Sequence, residues 1–151
     1  MNTPFEAVTE SSQELAATQI LVVDDETTIF DVFELMFPKP NHTVAVAANG
    51  DRALQLAATR GFDVAFVDCF LGNENGPEVA QKLHKVQPNL KVVLMSGYLQ
   101  EERAAAMELA GARAFLTKPF SFETAQSLVN RLLGCQAQGR NDNPVKESVA
   151  K

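Results

Sequence analysis

Ile20-Leu21-Val22-Val23-Asp24-Asp25-Glu26 is the stretch that decides the fold. Four aliphatic residues in unbroken series describe a strand buried on both faces, as in a parallel sheet covered by helices on each side. The run closes on two adjacent carboxylates. Adjacent like charges resist joint ionisation unless something positive lies between them. A hard divalent cation is the simplest compensator, and Mg²⁺ favours carboxylate oxygens and water. In open α/β sheets ligands bind outside the carboxyl ends of the strands, so the acidic pair stands where a metal site belongs.

The same layout recurs along the chain. Phe62-Asp63-Val64-Ala65-Phe66-Val67-Asp68 is a second apolar run ending in a carboxylate. Leu90-Lys91-Val92-Val93-Leu94-Met95-Ser96-Gly97 ends in a hydroxyl and a glycine, and Ala114-Phe115-Leu116-Thr117-Lys118-Pro119 ends in a lysine. If the strands are parallel, Asp24, Asp25, Asp68, Ser96 and Lys118 share one edge of the sheet. A nucleophile, a metal holder, a hydroxyl donor and a cation are the groups that handle a phosphoryl group.

Helical patterns alternate with these strands, which is the signature of βα units. Residues 26–37 carry a dense apolar face and stop at Pro38, which cannot continue a helix. Residues 43–48 form a further strand. Asn49 is placed to cap a helix over 50–59, with Gly61 expected at its C-terminal end. Helices follow over 77–86, with Pro77 in the first turn, over 99–110, closed by Gly111, and over 121–133, with Ser121 as cap and Glu123 in the first turn. The expected fold is α/β: a (βα)5 flavodoxin-like, doubly wound parallel sheet. Its strand order of 2-1-3-4-5 rests on analogy at the level of the fold.

At 151 residues the chain is read as one domain over 19–134, with a flexible N-terminal extension over 1–18 and a flexible C-terminal tail over 135–151. A net charge of −6 gives no basic footprint for nucleic acid. No apolar run reaches membrane-spanning length, and the N-terminus lacks the pattern of a secretory signal. Cys69 and Cys135 form no metal or redox spacing, so reduced thiols and a cytoplasmic location are expected. With no second domain, the chain is expected to carry no output module of its own.

Val23-Asp24-Asp25-Glu26, Val67-Asp68, Met95-Ser96-Gly97 and Lys118-Pro119-Phe120, in this order and spacing, resemble the receiver domain of two-component response regulators. Asn73-Glu74-Asn75-Gly76 is similar to the loop after the phosphorylated aspartate, with Asn75 where aspartate is more usual and Gly72 where proline is often found. The resemblance spans roughly residues 19–134 and implies specific roles. Asp68 would accept the phosphoryl group. Asp25, Asp68 and the backbone carbonyl of Phe70 would ligate Mg²⁺, with Asp24 acting through a metal-bound water. Lys118, before a cis proline, would neutralise the phosphate, and Ser96 would donate its hydroxyl to it. Ser96 and Phe115 would form a switch read out on the fourth helix, fifth strand and fifth helix. Phe115, lacking a hydroxyl, is expected to favour its buried state. Phe70 and Tyr98, flanking the path of an attacking water, would tune the lifetime of the acyl phosphate.

Each residue also has a plainer reading. Asp68, Asp24 and Asp25 are suited to capping turns and helices, Ser96 to a loop, Lys118 to solvent and Phe115 to the core. Cys69 reads as a small buried hydrophobe, and His42 and His84 as surface residues. The function expected is a phosphoacceptor that does not turn over substrate. It would take its phosphoryl group from a histidine kinase or a histidine phosphotransfer protein and act on a downstream protein effector. The close alternatives are the receiver of a hybrid histidine kinase and a phosphate sink. A haloacid-dehalogenase-like phosphatase is disfavoured because its acid pair has Asp-x-Asp spacing, whereas Asp24 and Asp25 are adjacent. A pseudo-receiver would have no need of the intact acid, serine and lysine set.

Overall fold

The computed structural model describes residues 17–97 and 103–138, with residues 135–138 described by their backbone only. The first strand, β1 (Thr18–Val23), buries Ile20, Leu21, Val22 and Val23 completely, as its unbroken apolar run requires. Helix α1 (Thr28–Met36) follows, turning Phe33 and Met36 into the core and ending at Phe37 before Pro38. Strand β2 (His42–Ala47) leads to helix α2 (Gly50–Thr59), where the Asn49 side chain accepts from the Arg52 N–H at 2.8 Å.

Strand β3 (Val64–Asp68) is buried throughout. A two-stranded hairpin comes next, β4 (Phe70–Leu71) against β5 (Glu74–Asn75), and then helix α3 (Gly76–Val86). Strand β6 (Lys91–Ser96), helix α4 (Arg103–Ala110), strand β7 (Ala114–Thr117) and helix α5 (Phe122–Gln138) complete the described chain. The main sheet is fully parallel in the order β2-β1-β3-β6-β7. With β6 and β7 counted as its fourth and fifth strands, this is the expected 2-1-3-4-5. Phe33 and Phe66, with ring centroids 4.8 Å apart, join α1 to the central strand.

The structure corrects several local readings. Gly61 does not end α2 through a left-handed turn. Arg60 leaves the helix in extended conformation (φ −154°), and positive φ occurs only at Gly72 and Gly111 among the described residues. The released carbonyls are satisfied from a distance instead: the Gln87 amide donates to Ala57 O and Arg60 O, both at 2.8 Å, and accepts from the Phe62 N–H at 2.9 Å. His84 is half-buried, with Nδ1 3.1 Å from Ala110 O and Nε2 2.9 Å from Leu90 O. Helix α5 runs on past residue 133 to Gln138. The first turn expected of the fourth helix, at 99–102, lies outside the described residues, as do residues 1–16 and 139–151.

Candidate functional site

Strand register builds the site. Val23 of β1 lies beside Val67 of β3, so the next residues, Asp24 and Asp68, emerge side by side. Asp68 is level with Met95 of β6, and Ser96 is level with Thr117 of β7. The Lys118 N–H donates to Ser96 O at 2.8 Å, fixing the end of β7 against β6. The peptide bond from Lys118 to Pro119 is cis. From this position the Lys118 ammonium donates to Asp24 Oδ2 at 2.7 Å and to Asp68 Oδ2 at 2.8 Å. Glu26 Oε1 stands 4.0 Å from the same nitrogen.

Burial makes these contacts matter. The Asp24 side chain is fully enclosed, and those of Asp68 and Lys118 keep only 11% and 17% of their exposure. Enclosure pushes the Asp24 carboxyl above the usual carboxylate range, helped by the Asp68 charge and opposed by Lys118 and by the Glu26 N–H, which donates to Asp24 Oδ1 at 2.9 Å. Burial by itself would lower Lys118, yet its hydrogen bonds and charge pairing with Asp24 and Asp68 outweigh that and hold it above the ordinary lysine range. The Cys69 thiol is pushed up to about 11, first by burial and then by the Asp68 charge. This keeps it a protonated, inert neighbour of Asp68.

The loop after Asp68 closes the site from one side. The Phe70 N–H donates to Asp68 Oδ1 at 3.0 Å, while the Phe70 side chain is largely exposed. Gly72 makes the hairpin turn at φ +63°, and a Cβ built there would sit 3.6 Å from Asp25 Oδ2. Gly76 approaches the Asp68 carbonyl so closely that a Cβ would lie 1.9 Å from its oxygen. No side chain longer than hydrogen fits at this position. The hairpin itself escaped the sequence reading because strands of two residues carry no periodicity.

Asp24, Asp25 and Asp68 each offer a carboxylate oxygen, all within 4.8 Å of one another. Oxygen-only donors, one of them exposed at Asp25, fit a hard divalent cation that retains water. The acid cluster is therefore able to hold a metal. Ser96 is buried at the end of β6. Phe115 is buried on β7, with the Arg103 guanidinium 4.6 Å from its ring centroid. That partner was not foreseen, because a cation–π pair between α4 and β7 leaves no local pattern. Tyr98 lies outside the described residues. No helix among the described residues is long and apolar enough to cross a membrane.

Comparison with known proteins gives consistent results. The response regulator receiver domain matches residues 20–130. The alginate biosynthesis transcriptional regulatory protein AlgB of Pseudomonas aeruginosa is 32% identical over 103 residues, covering 68% of this chain and 23% of that protein. The chain thus spans about a quarter of the length of that curated relative. A receiver domain protein (CheY-like) from Methanospirillum hungatei superposes with a TM-score of 0.73 at 27% identity, covering 82% of this chain and all of that one. A response regulator protein from Burkholderia pseudomallei, whose structure holds a phosphorylated aspartic acid, a calcium ion and citrate, gives a TM-score of 0.69 at 28% identity. It covers 85% of this chain and 76% of that one.

Proposed function

The chain belongs to the response regulator receiver domain family, and from that premise we propose that it accepts a phosphoryl group on Asp68 from a phosphohistidine. The donor is a histidine kinase or a histidine phosphotransfer protein. An Asp68 carboxylate oxygen forms the bond to phosphorus as the bond from phosphorus to the imidazole nitrogen breaks, and the imidazole leaves with the electron pair. The observation that carries this reading is the Lys118 ammonium held between Asp24 and Asp68. It is a fixed positive charge at the atom where phosphate charge would accumulate. The phosphorylated aspartic acid of the Burkholderia protein supports the same role for Asp68.

Mg²⁺ is the cation proposed for the acid cluster, ligated by Asp25, Asp68 and the Phe70 carbonyl, with Asp24 reached through water. Bound there, it supplies charge that offsets the carboxylates and the incoming phosphoryl oxygens. The chain's own groups do the rest. Lys118 is placed to pair with a phosphoryl oxygen, and the Ser96 hydroxyl donates to another. Drawing Ser96 inward shifts an existing equilibrium at Phe115, read by a protein effector on the face made by α4, β7 and α5. Phe70 and Tyr98 are the residues proposed to tune the lifetime of the acyl phosphate. The chain acts in the cytoplasm as a phosphoprotein, with no turnover of a free substrate and no direct contact with nucleic acid.

The test is intact-protein mass after incubation with Mg²⁺ and acetyl phosphate. A single phosphoryl adduct is expected on the natural chain and none on Asp68→Ala. A folded natural chain that takes no adduct, from acetyl phosphate or from any phosphohistidine donor, would overturn the reading.

A further inference from the structure

Two neighbouring residues of the hairpin after Asp68 cap two different helices. The Asn75 side-chain Oδ1 accepts from the Glu78 N–H at 3.0 Å, at the start of α3. Glu74 reaches the other way, and its Oε1 accepts from the Gly50 N–H at 2.8 Å, at the start of α2. That second contact spans 24 residues and joins elements on either side of β3. Its seat is tight: a Cβ at Gly50 would lie 2.8 Å from Glu74 Oε2 and 2.9 Å from Val79 Cγ2. A side chain at position 50 would press on the carboxylate where it now sits.

The same hairpin borders the acid cluster, where the Phe70 N–H donates to Asp68 Oδ1 at 3.0 Å. Phe70 pairs with Asn75, and Leu71 with Glu74, so the ladder transmits the position of Glu74 to the strand that bears the Phe70 carbonyl. Gly72, at the turn between them, lies beside Asp25. A ladder of two residue pairs is too short to hold its own place. Its outer anchor is the bond from Glu74 to α2, whose N-terminal N–H groups and dipole favour a carboxylate.

From this juxtaposition we infer that Glu74 is a positioning residue for cation binding: by gripping the first N–H of α2 it holds the hairpin, and with it the Phe70 carbonyl, over the Asp24, Asp25 and Asp68 cluster. Glu74 is not among the clustered carboxylates and acts through the backbone of its neighbours. The inference rests on the cation reading given above for this cluster.

The experiment is calorimetric titration of the unphosphorylated full chain with Mg²⁺, for the natural sequence and for Glu74→Ala, Glu74→Gln and Asn49→Ala. Asn49→Ala removes the other N-terminal cap of the same helix and leaves the hairpin untouched. Glu74→Ala is expected to weaken Mg²⁺ binding about tenfold, the low end of what loss of a supporting contact costs a metal site. Glu74→Gln, which keeps an accepting oxygen and loses the charge, should restore most of the affinity, and Asn49→Ala should bind like the natural chain. The inference fails if Glu74→Ala binds normally, if Asn49→Ala is weakened as much, or if Glu74→Gln is as weak as Glu74→Ala, which would assign the effect to charge alone. A natural chain that binds no Mg²⁺ would bring down the cation reading itself, and this inference with it.

Discussion

The Arg103 guanidinium carbon stands 4.6 Å from the centroid of the Phe115 ring, so the proposed switch residue is held by a charge from α4, a helix of the proposed readout face. The contact is worth about 0.5–1 kcal/mol at a partly exposed site. A double-mutant cycle with Arg103→Ala and Phe115→Leu should give a coupling energy of that size in denaturant unfolding. Additive effects of the two substitutions would mean that the ring and the cation are merely adjacent.

Glycine substitutions should separate sharply by position. Gly76→Ala drives a methyl group into the Asp68 carbonyl and should destabilise the fold by about 2–3 kcal/mol while displacing Asp68. Gly61→Ala meets nothing within 4 Å and should be neutral or slightly stabilising. Thermal unfolding of the two variants, with phosphorylation from acetyl phosphate measured alongside, checks both statements.

Lys118 predicts a pH dependence. Its raised value means that its contribution to stability is complete below the ordinary lysine value of 10.5 and is lost as pH climbs through the still higher folded value. Lys118→Met should therefore be less stable at neutral pH, by about 3 kcal/mol as for other broken buried pairs, and should lack this alkaline loss. Asp24 works in the same sense at the acid end. Its raised carboxyl takes up a proton more readily in the fold than in the unfolded chain, so acidification favours the fold there and should narrow the gap between variant and natural chain. Unfolding free energies taken from acid to alkaline pH would reveal both limbs, and a gap independent of pH would contradict them.

Cys69 should be slow to react. With its thiol at about 11 against an ordinary 9.0, it carries roughly a hundredfold less thiolate near neutrality than a free cysteine. Peptide-level mass spectrometry of iodoacetamide labelling should find it protected by at least that factor in the folded chain. Asp68→Asn should ease the protection, because it removes the second of the two causes.

The sequence carried the strands and the residues at their ends well, because continuous apolar runs and terminal Asp, Ser and Lys are local signals. Asp24, Asp68, Ser96 and Lys118 do converge, since parallel register brings successive strand ends to one edge. The features that escaped reading are long-range. Gln87 does the work assigned to Gly61 from the far end of α3, and nothing near Arg60 announces it. His84 looked like a surface residue because its carbonyl partners at Leu90 and Ala110 come from separate elements. The capping of α2 by Glu74 was hidden for the same reason: a glutamate in a polar loop has no pattern pointing to Gly50.

The ion triad also has a kinetic meaning. Lys118 meets Asp24 across 94 residues of chain and Asp68 across 50, so neither contact exists until β1, β3 and β7 have found their places. Contacts of such high sequence separation are closed late, after most of the loop entropy has been spent. Substitutions at Lys118 should therefore leave the folding limb of a chevron almost unmoved and raise the unfolding limb. In this chain the charge that pairs with Asp68 should also be the clasp that slows the escape of the finished sheet.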